Sequence, residues 1–404
     1  MRRWIPALLL LPVGACAFQA DATARDDAGV DAVIIVPDAP PRPDGAANTT
    51  DDVVHVGRDD EYFGIADLTI SAPLTIDTTR MAFGIALPAG VTFGIAPQDG
   101  GGPELAILHV RALTVAAPVR ALGSRPLVVI ADSIDVTQTI DVTGHHGEPG
   151  AGAQATAPAG TAGLHAGTYN DSGGGGGGHG TAGATGGPTT CKDCPNKRLD
   201  GGAAGPAADP QAATLVGGAP GGRTYSPPSA CHTQVPGAGG GAIELYAKTR
   251  IEINGNINAG GGGGQGGQQC NQPYNWLAGH GGGAGGTIVL QAPTIENTGR
   301  LSANGGGGGA GGGSTGDGHD GEDGALGATP AKGGATSGMY SATGGDGAAG
   351  ATAPRPGALG PESGNAGGGG GGLGQIRLLY QATVSAGVTS PTAITATYGP
   401  AGVR

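Results

Sequence analysis

Three carboxylates stand at one place in three copies of a short apolar repeat: Asp135 in Ile134-Asp-Val136, Glu252 in Ile251-Glu-Ile253 and Glu296 in Ile295-Glu-Asn297. Copies stacked as strands would bring them into one outward column with steps of about 4.8 Å. Like charges at that spacing raise at least one pKa or recruit a calcium ion. Clustered carboxylates are also what general acid/base cleavage of a polysaccharide requires. The column is therefore the candidate catalytic group. The plainer reading is a solvated outer face whose charges are screened by neighbouring loops. Asp141 aligns with Asn258 and Ser302, so no second carboxylate pair is expected.

Cys191, Cys194, Cys231 and Cys270 are the next candidates. Their even number points to disulfides in an exported chain, with three pairings open. Zinc is the alternative, held by Cys191-Lys-Asp-Cys194 with Cys231, Cys270 or one of His179, His232 and His280. No second half-site follows at finger spacing. His145-His146, with His165 and His179 beyond, could also bind metal, but they sit in glycine-rich sequence expected to be mobile. The acidic stretch Gly318–Gly324 lacks the hydrophobic position of calcium-binding nonapeptide repeats, so calcium there would be weakly held. No G-x-S-x-G, HExxH or phosphate-loop motif occurs.

The repeat that would position the carboxylates runs through most of the chain. Leu68-Thr-Ile-Ser-Ala-Pro-Leu74-Thr-Ile76 returns as Leu113-Thr-Val-Ala-Ala-Pro-Val119-Arg-Ala121, and its outline recurs at 134–142, 251–259 and 295–303. A further short strand precedes three copies, at 127–131, 243–247 and 288–292, and a last version lies at 376–380. Alternation of Ile, Val or Leu with polar residues means half-buried strands, and Gly144, Gly255, Gly299 and Pro293 separate them. Units of three short strands and irregular turns predict an all-β fold, a right-handed parallel β-helix (solenoid). The runner-up is a β-sandwich with disordered Gly-rich loops.

Glycine supplies 88 of the 404 residues and collects in three insertions, 145–240, 260–286 and 304–373. All three fall at the corner that the earlier unit crosses in five residues, Leu122 to Pro126. Lengthening that turn to about a hundred residues costs only about 3 kcal/mol of closure entropy. The insertions are expected to leave one edge, either as disordered loops or as a bundle of polyproline-II-like helices bonded through backbone N–H and C=O. In composition they resemble the glycine-rich modules of some phage tail-fibre adhesins and of certain animal receptor kinases. Between them lie rungs at 104–144, 241–259, 287–303 and 374–404, the last including a C-terminal cap. Residues 53–103 contain Phe63, Phe83 and Phe93 in three Phe-Gly-Ile-Ala copies, and are assigned to the first rungs and N-terminal cap.

The first residues, MRRWIPALLLLPVGAC, have a basic start and an apolar run too short to span a bilayer, the pattern of a secretory signal over 1–15. Val-Gly-Ala-Cys resembles the lipobox of bacterial lipoproteins, which implies lipidation at Cys16, membrane anchoring through it, and, with Ala17 following, the outer membrane. Residues 16–52 then form an acidic Ala/Asp/Pro tether. The formal net charge of −12 becomes more negative once Arg2 and Arg3 leave with the signal. No basic cluster appears, which argues against nucleic acid. With strand units such as GGGAIELYAKTRIEINGNINAGGGGGQGG, the chain resembles the uncharacterised glycine-rich, β-helix-like lipoproteins of myxobacteria and related bacteria. That resemblance implies a cell-surface protein and brings no reaction with it. The expected function is a non-catalytic adhesin or envelope scaffold meeting a surface glycan or protein. The alternatives are a carbohydrate-active enzyme using the carboxylate column and a purely structural envelope protein.

Overall fold

Alternating apolar residues pair copy on copy in two mostly parallel sheets. The computed structural model describes residues 53–57, 60–98, 101–154, 159–165, 171–190, 197–208, 214–224, 233–269, 276–362 and 364–398. In chain order the strands are β1 (Leu68–Ile70), β2 (Leu74–Asp77), β3 (Thr92–Ala96), β4 (Leu105–His109), β5 (Ala112–Val115), β6 (Val119–Leu122), β7 (Leu127–Val136) and β8 (Thr139–Asp141). A short pair follows, β9 (Thr189–Thr190) and β10 (Arg198–Leu199), then β11 (Ala242–Ile253), β12 (Asn256–Asn258), β13 (Thr287–Gln291), β14 (Thr294–Asn297) and β15 (Arg300–Ser302). The last are β16 (Gln375–Tyr380), β17 (Thr383–Ser385), β18 (Val388–Ser390) and β19 (Ile394–Thr397).

The smaller sheet runs β18-β15-β12-β8-β6-β2, all parallel, and the larger runs β1-β5-β7-β11-β13-β16-β19 with β3, β4, β14 and β17 attached. Register follows the repeat. Leu113 pairs with Leu68 and Ile134, Ile251 with Ile134 and Ile295, and Ile257 with Ile140 and Leu301. Among the described strands, only β3 with β4 and β9 with β10 pair antiparallel. The antiparallel β-sandwich therefore does not describe this chain.

The Ile, Val and Leu of these registers form one continuous core in which Ile243, Leu245, Ile251, Ile253, Ile257, Ile288, Ile295 and Leu301 are fully buried. Each such side chain stabilises by roughly 1.5–3 kcal/mol. A second apolar cluster lies on the other face of the larger sheet. There Val53, Val56 and Phe63 join Leu105, Ile107, Val128, Ile130, Tyr246 and Val289, which explains why β4 and β13 are buried on both faces. At the β1–β2 end Phe83, Val91, Leu87 and Phe93 close the first core, with Phe83 and Phe93 edge to face at 5.4 Å.

The described residues of the insertions are ordered, and their order is carried by backbone hydrogen bonds. In 364–374, Gly367 donates to Ala358 and accepts from Gly187, and Gly370 donates to Arg355 and accepts from Ala184. Gly368 donates to Gly309 and accepts from Gly345, and Gly371 repeats this with Gly306 and Ala348. Gly369 and Gly372 donate to Gly174 and Gly177 and accept from Gly282 and Gly285. Partners recur every third residue, the repeat of a polyproline II helix. Segment 364–374 is thus encircled by the segments carrying 355–358, 184–187, 306–309, 345–348, 174–177 and 282–285.

Position in the bundle explains glycine content. A Cβ on Gly176 would lie 1.9 Å from the Gly370 carbonyl oxygen, and one on Gly371 1.9 Å from that of Gly283. An encircled helix has no free side, so runs such as 173–178, 305–309 and 367–372 are all glycine. Segment 318–324 lies at the rim and needs glycine only where it faces inward. Gly318, Gly321 and Gly324 abut the carbonyls of Ala310, Gly307 and Asn304. The period of three in that stretch, too short for collagen, is the helical repeat of a peripheral strand of the bundle.

Candidate functional site

The carboxylate column exists as a register, with Asp135 opposite Glu252 and Glu252 opposite Glu296. At Glu252 the electrostatics run opposite to a raised pKa. Asn254 donates a 2.8 Å hydrogen bond to one Glu252 oxygen, and Arg250 one of 2.6 Å to the other. The Asn254 bond, then the bond and charge of Arg250, hold the Glu252 carboxyl below its usual range. A neutralised, low-pKa carboxylate is a poor general acid at neutral pH. Glu296 is exposed, and one oxygen of Asp135 is buried with no hydrogen-bond partner among the described residues. Asp141 pairs in register with Asn258, and Asn258 with Ser302, and Asp141 meets Arg120 at 3.4 Å.

The histidine pair and the acidic stretch come together instead of standing in mobile loops. His145 Nδ1 hydrogen-bonds the Asp323 carboxylate, and His146 Nε2 lies 3.9 Å from that of Asp320. The carboxylates already have structural partners. Asp317, Asp320 and Asp323 accept backbone N–H from Gln269, Gly266 and Gly263 at 2.5, 2.7 and 2.7 Å. In a threefold helix at the rim, every third N–H faces away from the bundle, and an Asp at matching period satisfies it. Among the described residues no group of three or more His, Cys, Asp or Glu is placed to hold a metal ion. Cys16, Cys191, Cys194, Cys231 and Cys270, with the signal and tether, lie outside the described residues.

The arrangement best suited to contact a partner is the far end of the glycine bundle. The helices leave β8, β12 and β15 and run outward, and 164–165, 171–172, 313–317, 337–341, 359–362 and 364–365 gather at one tip. Asn365, fully buried, ties them together. Its backbone N–H donates to Tyr340 O at 2.8 Å and its side-chain amide to Gly312 O at 3.2 Å, while its Oδ1 accepts from Asp171 N–H at 3.3 Å. His165 Nδ1 meets Asp171 at 2.5 Å. Burial pushes the Asp171 carboxyl up to about 6, against the opposing bond and charge of His165.

On this frame Tyr340 stacks on Trp276, ring centroids 5.5 Å apart and planes 19° apart. Tyr340 has φ 69°, a left-handed conformation that strains a bulky side chain and recurs at functional sites. Met339 beside it is 70% exposed, and Leu164 and Leu359 are each 52% exposed. The exposed large apolar residues among those described fall in three places: Ile65, Ile85 and Ile95 of the Phe-Gly-Ile-Ala copies, this tip, and Val388 with Ile394 near the C-terminus. Strand periodicity gave no access to the tip. The signal that could have found it is the spacing of aromatics, since Tyr169, Tyr225, Tyr274, Trp276 and Tyr340 all interrupt the glycine runs.

No protein-family profile, curated protein or solved structure matches the chain.

Proposed function

We propose that this protein is a non-catalytic binding protein of the cell envelope, an adhesin held through a lipidated Cys16, whose glycine bundle presents its tip to a surface glycan or protein. On this reading the stacked units close into a right-handed parallel β-helix, a rod that carries the bundle on one edge. Parallel pairing in the register of the repeat, and the departure of every insertion from the same corner, support that closure. The observation that carries the binding role is the tip itself. An exposed Met339 and Tyr340, the latter strained and backed by Trp276, sit on turns fastened by Asn365 to a bundle of hydrogen-bonded helices. Rigid scaffolds that gather loops at one end are the usual platform for recognition. Aromatic residues supply contact area there at low entropic cost.

The test uses the full chain with Cys16→Ser, applied to arrays of neutral and acidic glycans and to isolated envelopes. Binding that falls at least about tenfold in Tyr340→Ser and Met339→Ser, with unchanged unfolding, fits loss of a contact worth about 1.4 kcal/mol or more. Equal binding by these variants would refute the tip. Polysaccharide turnover abolished by Glu252→Gln would replace the whole reading with the carbohydrate-active enzyme, which the register of Asp135, Glu252 and Glu296 favours.

A further inference from the structure

The two ends of the strand stack are finished differently. At the β1–β2 end the chain folds back over its own edge. Asp77 and Ala82 exchange backbone hydrogen bonds at 2.9 and 3.0 Å, Gly84 abuts the Thr75 carbonyl, and Phe83 and Val91 plug the core. At the other end β17, β18 and β19 each pair on one side only, with β14, β15 and β16. No strand among the described residues covers their outer edges. All four residues of β19 are exposed, with Ile394 at 43%, and Val388 of β18 is 52% exposed.

Open strand edges are templates for pairing, and folded chains blunt them with lysine, other charges or bulges. The last strands of this end, β17, β18 and β19, have no charged residue, Arg377 of β16 beside Ile394 being the nearest on that side. From Leu378 to Val403 the sequence LLYQATVSAGVTSPTAITATYGPAGV contains no Asp, Glu, Lys, Arg or His. That absence decides the occupant. A two-fold interface sets one patch against the same patch of the second copy, so a patch of net charge repels itself. In a molecule of net charge −12, an uncharged, β-branched end is the face on which two copies can approach without repulsion. A basic partner would be matched by acidic residues, which this end lacks.

We propose that two copies of this chain associate tail to tail, β19 pairing antiparallel with β19 of the second copy. Because the β1–β2 end is closed, the contact does not propagate, and the assembly stops at a dimer. The inference does not depend on the binding role of the bundle tip, which lies on the insertions.

Sedimentation equilibrium of the full chain with Cys16→Ser, over the micromolar range, tests it. The expected result is a concentration-dependent dimer. Ile394→Lys and Thr395→Lys, both at exposed positions, are expected to weaken association at least about tenfold, since like charges would then face each other across the two-fold. Their circular dichroism and unfolding should match the parent chain. Hydrogen exchange gives a second readout, with the amides of 394–397 more protected as concentration rises. A chain that stays monomeric throughout, or a dimer indifferent to both lysines, overturns the proposal. So does a monomer that dimerises only after residues 399–404 are removed, because the chain's own end then covers the edge.

Discussion

Gly176→Ala isolates what holds the glycine bundle together. The added Cβ would lie 1.9 Å from the Gly370 carbonyl oxygen, where ordinary contact needs more than 3 Å, so two helices must separate by over 1 Å. The nearest hydrogen bonds join Ala184 N–H to Gly370 O at 2.9 Å and Gly176 N–H to Ala184 O at 2.8 Å. Both break or stretch out of range. Two lost bonds at about 1 kcal/mol each, added to overpacking of about 1–3 kcal/mol, give roughly 3–5 kcal/mol. The control is Gly94→Ala, where a Cβ meets nothing within 4 Å. There the lost backbone freedom of the unfolded chain makes the change neutral or stabilising by up to about 1 kcal/mol. Hydrogen exchange read by mass spectrometry checks this directly. In the parent, the amides of 171–180 and 364–374 should exchange slowly. In Gly176→Ala they should exchange about a hundredfold to a thousandfold faster, at about 1.4 kcal/mol per decade. The strands of the larger sheet should change little. Fast exchange of these glycines in the parent, or identical behaviour of the two variants, would refute the packing argument.

Four further outcomes are expected. Burial lowers His179 and His109 to about 4. Unfolded histidines near 6.5 bind protons that the folded ones refuse, so stability present above pH 6.5 falls toward pH 4 by up to about 3 kcal/mol for each; His179→Gln should flatten that loss in urea titrations. Asp171, raised to about 6, has the opposite sign. Its stabilisation is present below pH 4 and is lost as pH rises through 6, so Asp171→Asn should raise the melting temperature at pH 7 more than at pH 4. His55 and Glu244 meet at 2.8 Å with both side chains buried. His55→Leu alone should therefore cost about 3–5 kcal/mol by stranding the carboxylate, while His55→Leu with Glu244→Leu should recover most of it. Asn365→Ala removes the side-chain bonds to Gly312 and Asp171. It should lower stability by about 2 kcal/mol and speed proteolysis at 337–341 before the strands are touched.

Strand positions were legible because alternation and copy-to-copy similarity report the same fact, an Ile, Val or Leu in each rung facing one core. Ile134, Ile251 and Ile295 align in the sequence and pair in register. The lowered pKa of Glu252 was not legible from that alignment, because it depends on Asn254 and Arg250, whose side chains each reach two residues along the chain to Glu252. The bundle was half legible. Composition allowed helices bonded through their backbones, but glycine carries no pattern that names a partner. Only register in space shows that Gly369 faces Gly174 while Gly370 faces Ala184. The tip was missed because its residues do not repeat.

The sheets and the bundle are joined by one hydrogen-bond ladder. Val142 N–H donates to Asn258 O, and two residues on Gly144 N–H donates to Gly260 O. On the next copy Ala259 donates to Ser302 and Gly261 to Asn304. Strands stacked about 4.8 Å apart thus release their continuations already side by side and in register, with donors facing acceptors. A free glycine chain would lose more backbone entropy on ordering than any other sequence. Here the first bonds of each helix extend a ladder that the Ile/Val/Leu core holds, so the core fixes where each glycine segment starts and how it is aligned. This is a physical reason for long glycine runs to begin at the ends of β8, β12 and β15, where a packed core stands directly behind them.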